Sequence, residues 1–123
     1  MKVLIIGSGA REHAIAQKMN DSNLVTSIIV CPGNPGMKST LPNIQLENIS
    51  ITDIHELLKL ALIEKIDLTI VGPEASLSAG VVDLFKENNL AIVGPTKAAS
   101  RLESSKAFAK TIMKEAGVPT ASY

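Results

Sequence analysis

Tryptophan is absent from this chain, aromatic residues make up 2% of it, and there is a single cysteine. So few aromatic side chains offer no platform on which bases could stack. Acidic and basic side chains are equal at twelve each, so no overall field favours nucleic acid or an anionic membrane. One cysteine forms no intramolecular disulfide. No stretch reads as a signal peptide or approaches the ~20 apolar residues of a membrane span. These absences predict a soluble, cytoplasmic protein with no nucleic-acid and no membrane partner. What is present is ordinary globular material: 123 residues, 46% hydrophobic, with a core left to Ile, Leu, Val and Ala. That length fits one small domain. From Lys97 onward five basic residues face two acids, so the last part of the chain is the basic part. By itself this marks a solvated helix face.

The organising stretch is Lys2 to Met19, KVLIIGSGAREHAIAQKM. Val3, Leu4, Ile5 and Ile6 show no polar alternation and stop at Gly7-Ser8-Gly9, which predicts a parallel strand buried on both faces. From Ala10 the spacing turns helical, and the helix ends in Asn20-Asp21-Ser22-Asn23. A strand, a glycine turn and a helix leave backbone N–H groups unpaired at the helix start, where the dipole favours an anion. A phosphate is the expected ligand. The dinucleotide pattern G-x-G-x-x-G is incomplete, because Glu12 stands where the third glycine belongs. The second strand also ends in Val30-Cys31-Pro32-Gly33-Asn34, with no acid to hold the ribose of a nicotinamide nucleotide.

Further along, Val25 to Val30 predicts a second strand, followed by a hard turn over Pro32-Gly33-Asn34-Pro35-Gly36. A short third strand is expected around Ile44 to Leu46. Thr52 or Asp53 caps a helix whose Ile54, Leu57, Leu58, Ala61 and Leu62 form an apolar stripe, and Asp53 with Glu56 has capping-box spacing. His55 falls off that stripe and is expected to be exposed. Asp67 to Val71 and Leu90 to Val93 predict two more strands, both ending in Val-Gly-Pro. Between them Ser78 is expected to cap a helix that turns Val81, Leu84 and Phe85 inward. Strands alternating with helices imply right-handed crossovers and a parallel open sheet with helices on both faces. The expected order is 3-2-1-4-5, a Rossmann-like α/β fold whose ligand crevice lies between the Gly7 and Gly72 loops, with Asn34 and Glu74 beside it. Cys31 reads as a small buried apolar residue. A last helix is expected from Ser104 or Ser105, with Ala107, Phe108, Ile112, Met113 and Ala116 apolar and Gly117-Val118-Pro119 as its stop. The residues after it look like the entry to another strand, which suggests a piece of a longer protein.

Four motifs, Gly7-Ser8-Gly9-Ala10-Arg11-Glu12-His13, Pro32-Gly33-Asn34, Val71-Gly72-Pro73-Glu74-Ala75 and Ser105-Lys106-Ala107-Phe108, stand in the order and spacing of one family. The chain resembles the N-terminal part of the phosphoribosylamine–glycine ligases, also called glycinamide ribonucleotide synthetases. The resemblance implies a pre-ATP-grasp domain over residues 1–103, and a linker and leading helix of a truncated ATP-grasp domain over 104–123. It implies an ADP-forming carbon–nitrogen ligase of purine biosynthesis, acting on 5-phosphoribosylamine, glycine and ATP with Mg²⁺ (or Mn²⁺). It further implies that the missing ATP-grasp domain carries the catalytic residues, that this piece alone is inactive, and that neither nucleotide nor metal binds to it alone. Gly7, Ser8, Gly9, Ala10 and Arg11 are then expected at the sugar phosphate, and Asn34 and Glu74 at the ribose hydroxyls or the amine. Lys106 resembles the lysine with which ATP-grasp enzymes meet nucleotide phosphates. Glu12 and His13 are expected to be structural, the former bonding first-turn amides and the latter packing under the sheet. Members commonly have glycine where Ala10 stands, which slightly restricts how closely a ligand approaches. The alternatives are a Rossmann-type domain binding NAD or a regulatory nucleotide, supported only by Gly7-x-Gly9, and an assembly module with no small ligand.

Overall fold

The structure is a computed structural model that describes residues 1–94. The expected boundary near residue 103, the helix from Ser104 and Lys106 all lie outside the described residues. Five strands form one parallel sheet: β1 (Lys2–Gly7), β2 (Ser27–Pro32), β3 (Gln45–Leu46), β4 (Leu68–Val71) and β5 (Ile92–Val93), in the order β3-β2-β1-β4-β5. This is the expected order. The central strand β1 carries the uninterrupted apolar run Val3 to Ile6, and every one of those residues is buried. Its two faces serve different layers.

Val3 and Ile5 point with Ile28, Val30, Leu68 and Ile70 toward α1 (Ala10–Asn20) and α2 (Pro35–Thr40), where Ile15, Ala16, Met19 and Met37 close the layer. Leu4 and Ile6 point the other way with Ile29, Cys31 and Val71. They meet Leu57 and Ala61 of α3 (Ile54–Ile63) and Val81 and Phe85 of α5 (Val81–Glu87). Period-2 alternation along each strand therefore feeds two cores, one on each side of the sheet. A short α4 (Glu74–Ser78) precedes α5.

Several boundaries differ from the sequence reading. The second strand runs from Ser27 to Pro32 rather than Val25 to Val30, because its pairing with β1 begins at Lys2↔Ser27, just after the Thr26 N–H bond to the Met1 carbonyl, 2.8 Å. The dense turn after it contains a helix. Asn34 is the N-cap of α2, its Oδ1 accepting from the Met37 N–H at 3.1 Å, and Pro35 takes the first helical position, where a missing N–H does no harm. Ser78 does not cap a helix. It ends α4, and Gly80, with φ +92°, starts α5. Leu84 is half-buried. The α3 cap is as expected, Asp53 Oδ1 accepting from Glu56 N–H at 3.5 Å, yet Leu62 is 49% exposed. The apolar stripe of α3 buries Leu57 and Ala61, with Ile54, Leu58 and Leu60 packed partly against the same layer and Leu62 turned to solvent.

Candidate functional site

The register Ile6↔Val71 ends β1 and β4 side by side, so Gly7 and Gly72 leave the sheet together at its carboxyl edge. The Gly72 N–H donates to the Ile6 carbonyl at 3.1 Å, which holds the two loops against each other. Chain direction across the sheet reverses here, since β1 connects toward β2 and β4 toward β5. This is where open α/β sheets bind ligands. Ser8, Gly9, Ala10 and Arg11 line the outer rim and are all exposed, and Gly7 is buried. Gly9 is the N-cap of α1, an eleven-residue helix whose first closing bond is His13 N–H to the Gly9 carbonyl, 3.0 Å. The N–H groups before His13 face the rim, as an anion site requires.

Asn34 is brought to this rim. Its Nδ2 donates to the Ser8 carbonyl at 2.6 Å, while its Oδ1 caps α2. One side chain therefore ties the loop after β2 to the loop after β1, and the Gly33 N–H adds a second tie to the Gly7 carbonyl at 3.0 Å. Glu74 is the first residue of α4, two positions after Gly72, and is exposed. Lys106 lies outside the described residues, and so does everything the sequence reading assigned to the nucleotide.

Two expectations for neighbouring residues fail. His13 does not pack under the sheet; its Nε2 reaches Thr40 Oγ1 at 2.6 Å, linking α1 to α2. Glu12 does not bond the first-turn amides. Its side chain folds back beneath the loop, 6% exposed, with its carboxylate against both Gly7 and Gly72. A methyl group on Gly7 would stand 2.5 Å from Glu12 Cγ and Oε1, one on Gly9 would stand 3.1 Å from Oε2, and one on Gly72 would overlap Oε1 outright. The glycines at the ends of β1 and β4 are thus required by a carboxylate that lies on them. Among the described residues this carboxylate has no hydrogen-bond or ion-pair partner. Sequence reasoning missed this arrangement. The available signal was an acid at the position where a dinucleotide fold needs glycine for close helix–strand packing.

The remaining reactive side chains lie away from the crevice. Cys31 is fully buried, and burial together with the Glu47 carboxylate pushes its thiol up to about 12 from 9.0. Such a thiol is not a nucleophile at neutral pH. No group of three or more His, Cys, Asp or Glu side chains able to hold a metal occurs among the described residues. No helix among them is long and apolar enough to cross a membrane.

Comparison with known proteins agrees with this geometry. A solved structure described as glycinamide-RNase-transformylase T from Mycobacterium tuberculosis superposes with a TM-score of 0.58 at 18% identity, covering 99% of this chain and 37% of that one, and so shares the fold. Phosphoribosylamine–glycine ligases from Chlorobaculum tepidum, Salmonella typhimurium and Escherichia coli K12 are 50%, 53% and 53% identical over all 123 residues. The chain spans 28–29% of the length of these curated relatives. The family described as phosphoribosylglycinamide synthetase, N domain, matches residues 1–103. With that match over most of its length, the chain belongs to the phosphoribosylglycinamide synthetase N-domain family.

Proposed function

We propose that the chain is the substrate-binding N-terminal part of an ATP-dependent ligase that joins glycine to 5-phosphoribosylamine, giving glycinamide ribonucleotide, ADP and phosphate in purine biosynthesis. The observation that carries the reading is the coincidence of family membership with a switch-point crevice. That crevice is walled by the Gly7 to Arg11 loop, by Asn34 and by the Gly72 to Glu74 turn. The residues fit a phosphorylated sugar. The exposed N–H groups at the start of α1 suit the phosphate, with the Arg11 guanidinium on the same first turn as a charge-assisted donor. Glu74 and the free capacity of the Asn34 amide suit hydroxyl or amine donors.

In this reading an ATP-grasp domain, to which residues 104–123 would lead and Lys106 would contribute, would bind ATP with Mg²⁺ or Mn²⁺ and supply glycine with its carboxylate activated as an acyl phosphate. The present domain holds the nucleophile. The amine at C1 of the ribose attacks the activated carbonyl carbon, the bond from that carbon to the phosphate oxygen breaks, and the nitrogen loses a proton. A dinucleotide site is the weaker reading, because Glu12 fills the space that a third glycine would leave open. In the complete ligase, Arg11→Ala should raise the KM for phosphoribosylamine by about 10- to 100-fold, the worth of a hydrogen bond to a charged group, with ATP and glycine nearly unaffected. A selective loss of ATP affinity would show that the cradle holds a different phosphate.

A further inference from the structure

An acidic side chain that is mostly buried, with no donor among the described residues, lies on the floor of a site whose rim is built for an anion. Glu12 is 6% exposed, presses on Gly7, Gly9 and Gly72, and has no hydrogen-bond partner among the described residues. Glycines at three points of the surrounding backbone make room for it. The Glu12 oxygens are not among the fully buried unpaired atoms of the described residues, so they stay open to the crevice, and the start of α1, three residues back along the helix, favours a negative charge there. The acceptor faces the gap between the ends of β1 and β4, where it repels an anion and attracts an N–H or O–H donor. The crevice is therefore polarised: donors on the rim at Ser8 to Arg11, an acceptor on the floor.

We propose that the Glu12 carboxylate is the acceptor for the N–H group at C1 of the ribosyl ligand and orients that nitrogen for attack. The proposal rests on the ligase reading given above. A ribosyl phosphate with nitrogen at C1 has the matching polarity, with an anion at one end of the sugar and a donor at the other. The rim then takes the phosphate and the floor takes the nitrogen. Glu12 is a determinant of which sugar phosphates are accepted, and a sugar phosphate without a donor at C1 leaves the carboxylate unpaired on binding.

The test uses the complete ligase and two stable probes, glycinamide ribonucleotide, which carries N–H at C1, and 1,4-anhydroribitol 5-phosphate, which carries only hydrogen there. Calorimetric titration of the wild type should show a preference for the first of about 10- to 100-fold. Glu12→Leu, similar in volume, should abolish the preference chiefly by weakening the first ligand, and Glu12→Gln, which keeps an acceptor but no charge, should narrow it several-fold. A purely structural Glu12 would instead weaken both ligands in proportion, and that result, or an unchanged preference in folded Glu12→Gln, overturns the proposal. Should Glu12→Leu fail to fold, Glu12→Gln decides alone. A wild type that binds glycinamide ribonucleotide no better than inorganic phosphate would remove the ligase reading itself, and this inference with it.

Discussion

Replacing Gly72 by alanine tests whether the Glu12 carboxylate holds the carboxyl edge of the sheet together. The added methyl would overlap Glu12 Oε1 and stand 2.6 Å from Cδ and 2.9 Å from Cγ, where carbon pairs normally rest at about 3.5–4.0 Å. Because the clash reaches Cγ, rotation of the carboxylate alone does not clear it. Gly7 blocks retreat on the other side, so the whole side chain must leave its pocket. Overpacking of this kind costs about 1–3 kcal/mol, and in a domain of this size that lowers the melting temperature by on the order of 10 °C. On a Glu12→Ala background the same methyl enters vacated space, so the cost should fall below ~1 kcal/mol, leaving a coupling energy of about 1–3 kcal/mol. Gly80→Ala is the control. Nothing lies within 4 Å of its added methyl, but φ is +92°, so it should cost about 1–2 kcal/mol from backbone strain alone, with or without Glu12. Urea denaturation of the four members of the cycle measures the coupling. Additivity within about 0.5 kcal/mol would refute the contact.

Thr69 Oγ1 is buried without a partner in the layer shared with α3 and α5, so Thr69→Val should leave stability unchanged or raise it by up to ~2 kcal/mol in urea titration. The Cys31 thiol, pushed up to about 12 from 9.0, should stay unreactive toward disulfide reagents at pH 8 until the chain unfolds, since only about one folded molecule in ten thousand holds the thiolate. Its folded value lies above the unfolded one, so its stability contribution is complete below pH ~9 and is lost as pH rises toward 12. The stability of the wild type relative to Cys31→Val should accordingly fall by about 1.4 kcal/mol per pH unit across that window. Asn34→Ala removes the α2 cap and the tie to Ser8 together and should cost about 1–2 kcal/mol by thermal denaturation, whereas Asn34→Ser, which keeps a capping oxygen, should recover part of it.

The fold was legible because its strongest signals are local and repeated. Four branched residues before Gly7 require a strand buried on both faces, the Val-Gly-Pro endings mark where later strands leave the sheet, and helical segments of 5 to 11 residues between them leave little choice but right-handed crossovers. The crevice followed from the topology. Less legible were features in which one residue serves two elements. Asn34 belongs to a turn by composition, yet it is also a helix cap and a bridge to Ser8, and the short α2 that it starts is hidden among turn residues. Ser78 is a good capping residue by type, but Gly80 sets the break between α4 and α5. Leu62 fits the helical stripe and still faces solvent, because α3 meets the sheet through Leu57 and Ala61. Glu12 was hardest, since its place depends on two glycines 65 residues apart meeting at one sheet edge. Spacing within the first loop shows only that the third glycine is missing.

The most direct test of the account is a crystal structure of the complete ligase with glycinamide ribonucleotide bound. The account predicts the ribosyl group in the crevice between the Gly7 and Gly72 loops, its phosphate on the rim formed by Ser8 to Arg11, and its C1 nitrogen within hydrogen-bond distance of Glu12. A product bound away from this crevice would contradict the assignment of the site, and a product bound in it with the phosphate over Glu12 and Gly72 would contradict its polarity.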